Sequence, residues 1–191
     1  MTDAGLAIQD DITTPRLVLR RITLQAIEAG LAGDLERAGR LLGAALPREL
    51  IQEPDVLALG QARLEADPDY APFGPRAIIL RETREMIGHI GFHTAPDPDY
   101  LRPYARDAVE LGYTVFGDHR RRGYASEALG GLIGWAQAAH GVRRFVASVS
   151  PRNDASLALV ARHGFGRIGE HHDDIDGLEH IFLLDRAAPA G

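Results

Sequence analysis

The sequence predicts a mixed α/β (α+β) domain built around one sheet, and three observations carry that expectation. In the second half of the chain, short runs that alternate apolar and polar residues are interleaved with runs of helical period. The clearest helical run, "NDASLALVARHGF" (153–165), opens on a capping asparagine, Asn153, and closes on Gly164. The 191 residues, 45% apolar and 25% charged, are enough for one ordinary globular core. The expected organisation is therefore a single domain over residues 1–191, with 1–13 and 186–191 as flexible tails.

The elements follow in order. "RLVLRRI" (16–22) alternates as a strand. Three helical patches, "LQAIEAGLAG", "DLERAGRLLGAAL" and "PDVLALGQARLEA", come next, punctuated by Gly33, Pro47 and Pro54. After a Pro- and Gly-rich loop (67–75), "RAIILRE" and "EMIGHIGFHT" read as a hairpin turning at Thr83 and Arg84. Residues 95–108 form a long connection, either a substrate-covering element or a disordered excursion. "VELGYTVF" (109–116) is a strand with Glu110, Gly112 and Thr114 on one face. A helix follows from about Tyr124, then a strand (143–150), the helix 153–165, and two strands about a turn at Asp176 and Gly177.

Composition excludes several chemistries. There is no cysteine, hence no disulfide, thiolate metal site or cysteine nucleophile. All 21 basic residues are arginine, which removes Schiff-base chemistry and the lysine of a P-loop. A net charge of −6 argues against a general nucleic-acid binder and favours a cationic or neutral substrate. No run approaches the roughly 18 apolar residues of a membrane span. The polar, acidic start lacks the pattern of a secretory signal, so the expected location is cytoplasmic and without membrane association.

Against this acidic background, "FGDHRRRGYASEALGGLIGWAQAAHG" (116–141) stacks three arginines where a strand runs into a helix. A helix N-terminus leaves about four N–H groups unpaired and carries about half a positive charge, so such a turn can cradle an anion. "GYASEA" lacks the three glycines of a dinucleotide turn. It does meet the spacing Arg/Gln-x-x-Gly-x-Gly/Ala, through Arg120, Gly123 and Ala125. With "ELGYTVFGDHRRRGYASEAL", "NDASLALVARHGF" and the opening "TTPRLVLRRI", the chain resembles the GCN5-related N-acetyltransferase superfamily. These stretches look like the subgroup that includes ribosomal-protein N-terminal acetyltransferases. The resemblance extends from Thr14 to Asp185 and is thinnest between 24 and 75.

The resemblance implies a mostly antiparallel central sheet, splayed after the fourth strand, with helices on both faces. It implies acetyl-CoA as co-substrate and no metal. The pantetheine arm would pair with the strand at Tyr113, Thr114 and Val115. The pyrophosphate would sit on the amides of Arg121, Arg122, Gly123, Tyr124, Ala125 and Ser126, beside the Arg120 side chain. Asn153 would contact the cofactor as well as cap its own helix, a cap being worth about 1 kcal/mol. The implied reaction is direct transfer of an acetyl group to an amine in a ternary complex, the acceptor being a protein N-terminus or a small molecule.

Glu110 is the candidate base, a lone carboxylate in an apolar strand whose burial would raise its pKa. In the histone-acetylating branch the base lies on the same strand one residue further from the turn, and one residue reverses the face. The tyrosine that acts as acid in the family is replaced by Val160, and Ser156 is the substitute candidate. A CoA-binding domain without catalysis is the alternative reading. A homodimer is compatible with the family, although no residue demands one. The run His171, His172, Asp173, Asp174 is no metal centre on a regular strand, because neighbours point to opposite faces. His89 and His93 are expected in the core or at a cleft edge. Gly130, Gly131 and Gly134 weaken the helix after Tyr124, which is explained if they let it lie close on the sheet.

Overall fold

The computed structural model describes residues 11–48, 50, 54–173 and 177–186. Within the expected tails, Ile12–Thr13 form a strand and the Arg186 N–H donates to Arg143 C=O at 2.8 Å, while 1–10 and 187–191 lie outside the described residues. Tertiary contacts divide the chain into two compact units, Met1–Gly91 with Tyr113–Leu132, and Phe92–Gly112 with Ile133–Gly191. The strands give a mixed, mostly antiparallel α/β fold, as the sequence predicts.

The first unit contains β1 (Ile12–Thr13), β2 (Leu17–Arg21), β3 (Arg76–Leu80) and most of β4 (Met86–Phe92), paired antiparallel in that order. The β3–β4 hairpin turns where the sequence places it, with Arg84 at φ 60° and the Leu80 N–H bonded to Glu85 C=O at 2.8 Å. Helices α1 (Leu24–Leu31), α2 (Leu35–Leu42) and α3 (Pro54–Ala66) fill the connection between β2 and β3. Thr23 and Asp34 cap α1 and α2 through their side chains, and Gly43 ends α2 in the left-handed region. Ile27, Leu42 and Leu57 of these helices pack with Val18, Ile79 and Met86 into one buried cluster.

In the second unit, the first residues of β5 (Ala108–Val115) pair in parallel with β6 (Arg144–Val149), which pairs antiparallel with β8 (Gly177–Asp185), itself paired with β7 (Gly166–Asp173). Asp176 of the expected turn lies outside the described residues; Gly177 opens β8 at φ 76°. Helix α5 (Asp154–Arg162) is capped by Asn153, and Gly164 follows it at φ 84°, both as the sequence predicts. The long connection 95–108 proves ordered. The Asp97 N–H donates to Ala108 C=O at 2.9 Å, and the Asp97 carboxylate accepts from the Asp107 N–H at 2.9 Å, closing the loop at its neck. Leu101 and Ala105 bury against Ala108, Val146 and Ile181.

The β5–β6 ladder pairs Ala108, Val109 and Glu110 with Arg144, Phe145 and Val146 and goes no further. Beyond it β5 passes from buried to half-buried at Gly112. β5 is the fourth strand when the two-residue β1 is left out.

Helix α4 (Tyr124–His140) buries Ala128, Leu129, Leu132, Ile133 and Ala136, as its apolar stripe predicts. The glycine argument holds for Gly131 and fails for Gly134. A Cβ on Gly131 would stand 2.8 Å from Thr14 Cγ2, whereas one on Gly134 would meet nothing within 4 Å. Gly134→Ala is therefore expected to stabilise the fold by about 1 kcal/mol, through helix propensity alone. Gly131→Ala is expected to destabilise it by a similar or larger amount, about 1–3 kcal/mol. Paired urea titrations check the opposite signs.

Candidate active site

The turn between β5 and α4 is built within the first unit. The Phe116 N–H donates to Ile87 C=O at 2.9 Å, and a Cβ on Gly88 would stand 2.1 Å from the Thr114 carbonyl oxygen. Phe116 and Thr114 thus present their backbone groups to β4. Alternation along a strand turns those of Tyr113 and Val115 the other way. Of the three residues expected to meet a pantetheine arm, Tyr113 and Val115 have the better-placed backbone. After one 3₁₀ turn (Gly117–His119), Arg120 is extended, Arg121 left-handed at φ 62° and Gly123 left-handed at φ 81°. The first bond into α4 is from the Glu127 N–H to Gly123 C=O at 3.1 Å, so the N-terminal amides of α4 precede the helical ladder.

Two physical reasons for the motif emerge from this geometry. Gly123 is required by its positive φ, since a Cβ there would make only ordinary contact, 3.5 Å from Arg16 Nη2. Arg120 turns its Nε back to Val115 C=O at 2.8 Å, tying the turn to the end of its strand. Arg121 holds a left-handed backbone without being glycine, at a cost of about 1 kcal/mol or more. The side chains of Arg120, Arg121 and Arg122 are exposed.

A clamp that the sequence analysis missed fixes the start of α4. Glu127 accepts from Thr14 Oγ1 at 2.6 Å, from the Arg16 N–H at 2.7 Å and from Arg16 Nε at 2.6 Å. Arg16 Nη1 donates to Arg122 C=O at 3.0 Å, and its guanidinium lies 4.6 Å from the centre of the Tyr124 ring. Burial raises the Glu127 pKa, but the donors from Thr14 and Arg16 outweigh it and hold the carboxyl below the ordinary glutamate range. The available signal was "TTPR" beside an acidic residue in the first turn of α4, separated by more than a hundred positions.

Within the second unit, Glu110 is the centre of a second cluster. Its carboxylate is buried and accepts from Tyr100 Oη at 2.8 Å on Oε2 and from the Ser148 hydroxyl on Oε1. His93 Nδ1 stands 3.3 Å from the same Oε2. Burial alone raises the Glu110 pKa, as the sequence predicts. The outcome is the reverse: His93, Ser148 and Tyr100 together favour the anion more, and the carboxyl lies below its ordinary range. Sequence reasoning found Glu110 but none of these three partners. Tyr100 arrives from the long loop and Ser148 from β6.

The remaining candidates are placed as follows. Asn153 accepts from the Ser156 N–H at 3.1 Å through Oδ1, which leaves its amide nitrogen as a donor. Ser156 is half-buried in the first turn of α5, and Val160 is fully buried in the core. His89 is buried and packs its ring edge-on to Phe116, a core position. Among the described residues no group of three His, Asp or Glu side chains could hold a metal ion. No described helix is long and apolar enough to cross a membrane.

A mostly antiparallel sheet whose β5 leads through a glycine turn into an amide-rich helix N-terminus is the arrangement of an acetyltransferase fold, and the comparisons supply the family. The profile described as "Acetyltransferase (GNAT) domain" matches residues 16–166. The "Uncharacterized N-acetyltransferase YoaA" of Bacillus subtilis (strain 168) is 33% identical over 159 residues, covering 83% of this chain and 84% of that one. In fold, the chain is similar to the ribosomal-protein-S5-alanine acetyltransferase from Vibrio fischeri, with a TM-score of 0.64 and 16% identity over 92% of this chain and 96% of that one. It is also similar to the microcin C7 self-immunity acetyltransferase MccE, solved with acetyl-CoA and AMP, with a TM-score of 0.58 and 12% identity over 90% and 93% of the two chains. The chain belongs to the GNAT acetyltransferase family, and acetyl transfer is its activity.

Proposed function

We propose that the chain transfers the acetyl group of acetyl-CoA to a primary amine, either a protein N-terminus or a small-molecule amine, by direct attack in a ternary complex. The observation that best supports this is the buried, hydrogen-bonded Glu110 anion at the last residue of β5 that pairs with β6. A thioester supplies an activated acetyl carbon, and an amine attacks it only after losing a proton. A fixed anionic cluster on the strand gives that proton a destination. The resemblance of the fold to ribosomal-protein acetyltransferases supports the protein N-terminus as one acceptor. The net charge of −6 suits a cationic amine.

In this reading the amides from Arg121 to Ser126 receive the pyrophosphate, with Arg120 holding the turn that presents them. The backbone of Tyr113 and Val115 receives the pantetheine arm. Asn153 donates its free amide N–H to the cofactor, and Ser156 donates to the departing thiolate. A screen of amines and peptide N-termini with acetyl-CoA, read as free-thiol release, tests the reaction. Silence across the panel from protein that binds acetyl-CoA would favour a non-catalytic CoA-binding domain. Arg120→Ala removes the tie to Val115 and one positive charge. Calorimetry is expected to show acetyl-CoA binding weakened about tenfold, about 1.4 kcal/mol. An unchanged dissociation constant would remove Arg120 from the site.

A further inference from the structure

Glu110 is poorly suited to take the proton itself. Its two oxygens already receive Tyr100, Ser148 and His93, and side-chain exposure is 9% for Glu110 against 41% for His93. Solvent and substrate can reach the imidazole far more readily than the carboxylate.

His93 is fixed on Glu110 twice over. Its backbone N–H donates to Glu110 C=O at 2.8 Å, which sets the cross-strand register, and Nδ1 stands 3.3 Å from Oε2. From there the ring runs along the same face of β5 to Gly112, two residues on. A Cβ on Gly112 would stand 2.6 Å from His93 Nε2, so glycine at 112 is what makes room for the ring. Gly112 is also the first half-buried residue of β5 past the end of its pairing with β6. Nε2 therefore lies at the point where the strand becomes accessible, while Nδ1 faces the buried anion. A carboxylate on one imidazole nitrogen fixes the proton there and leaves the other nitrogen as the acceptor.

We infer that His93 Nε2 takes the proton of the acceptor amine, and that Glu110 is the positioning residue that holds the ring and its tautomer. The inference rests on the amine-acetylation reading above. In the step, the ammonium passes one proton to Nε2 and becomes a neutral amine. Its lone pair forms a C–N bond to the thioester carbon, and the C–S bond breaks with its electron pair going to sulfur. The Ser156 hydroxyl gives its proton to the thiolate, yielding CoA–SH, and is restored by the nitrogen's second proton. The imidazolium returns its proton to solvent, so each turnover yields amide, free thiol and one proton.

Among the described residues, the polar groups bonded to the His93–Glu110 pair are the Tyr100 hydroxyl from the loop and the Ser148 hydroxyl from β6. Among the described residues no other ionisable group lies within ion-pair distance of His93.

The test compares His93→Gln and Glu110→Gln with wild type on an amine the wild type acetylates, with acetyl-CoA binding measured by calorimetry. His93→Gln is expected to lower kcat about 10²–10³-fold, to abolish the acidic limb of the pH–rate profile and to leave the acetyl-CoA dissociation constant within about twofold. Glu110→Gln is expected to lower kcat while keeping that limb, because Nε2 remains and only the partner that holds the ring is lost. Should His93→Gln fold poorly, Gly112→Ala probes the same atom by displacing Nε2, and it is expected to lower kcat with the pH limb shifted. A His93→Gln enzyme with wild-type kcat and an unaltered limb would overturn this inference alone. A wild type that binds acetyl-CoA but acetylates no amine would overturn the functional reading and the inference together.

Discussion

Gly88→Ala is expected to leave little folded protein. The new methyl group would stand 2.1 Å from the carbonyl oxygen of Thr114 and 3.0 Å from the Val115 Cα. These are backbone atoms of a strand, so no side-chain rotation relieves the clash. Either β4 or β5 must move, which breaks pairing such as the Phe116 N–H to Ile87 C=O bond of 2.9 Å. Overpacking of this kind costs about 3 kcal/mol or more, a large share of the stability of a typical domain. Chemical denaturation should show a midpoint far below wild type, or no cooperative transition. Any surviving protein should bind acetyl-CoA weakly, since the displaced stretch leads directly into the arginine turn. A wild-type midpoint would mean that the two strands do not approach as described.

Glu127→Ala should reveal how far the turn depends on its clamp. Thr14 and both Arg16 donors lose their acceptor, and Arg16 loses the anchor that brings it to Arg122 C=O and Tyr124. Arg16 is partly exposed, so water compensates part of the loss, and the net cost is about 2 kcal/mol. Acetyl-CoA affinity should fall about tenfold, because the amides no longer start from a fixed position. The pH dependence carries the sign of a depressed carboxyl. The unfolded glutamate takes up a proton more readily than the folded one. Glu127 therefore adds stability above its unfolded value near 4.5, and that contribution is lost as pH falls through the lower folded value. Glu110 acts in the same direction. Thermal melts should show the wild-type midpoint falling below about pH 4.5, with Glu127→Gln changing less over the same range.

Much of the fold was legible because it rests on local periodicity. Alternation gave β2 and β5, hairpin spacing gave β3 and β4, and the Asn153 and Gly164 signals bounded α5. What was not legible depends on residues distant in sequence. β1 is two residues long, too short for any period, and exists only through its pairing with Val18 and Leu19. The loop 95–108 looked evenly balanced between order and disorder, because nothing local shows that Asp97 will meet Asp107 and Ala108.

The site divides in the same way. Arg120, Gly123 and Ala125 were readable as a spacing, since adjacent residues build the turn. Glu110 was readable as an anomaly, a charge in an apolar strand. The direction of its pKa was not, because that depends on Ser148, thirty-eight positions away, and on His93 and Tyr100. Desolvation can be guessed from a strand's composition, whereas compensation requires knowing what lies across the sheet.

The neck closed by Asp97 separates the length of the loop from the register of the strands that it joins. With the two ends held by Asp107 and Ala108, a change at the exposed Pro103 need not be transmitted to either strand, whereas Arg102 braces the neck itself through Asp97 Oδ2 at 3.1 Å. Tyr100, by contrast, reaches Glu110 from the same loop, and Leu101 seals it against the core. The segment thus works as a cartridge on a fixed mount, touching the carboxylate through Tyr100 and the core through Leu101.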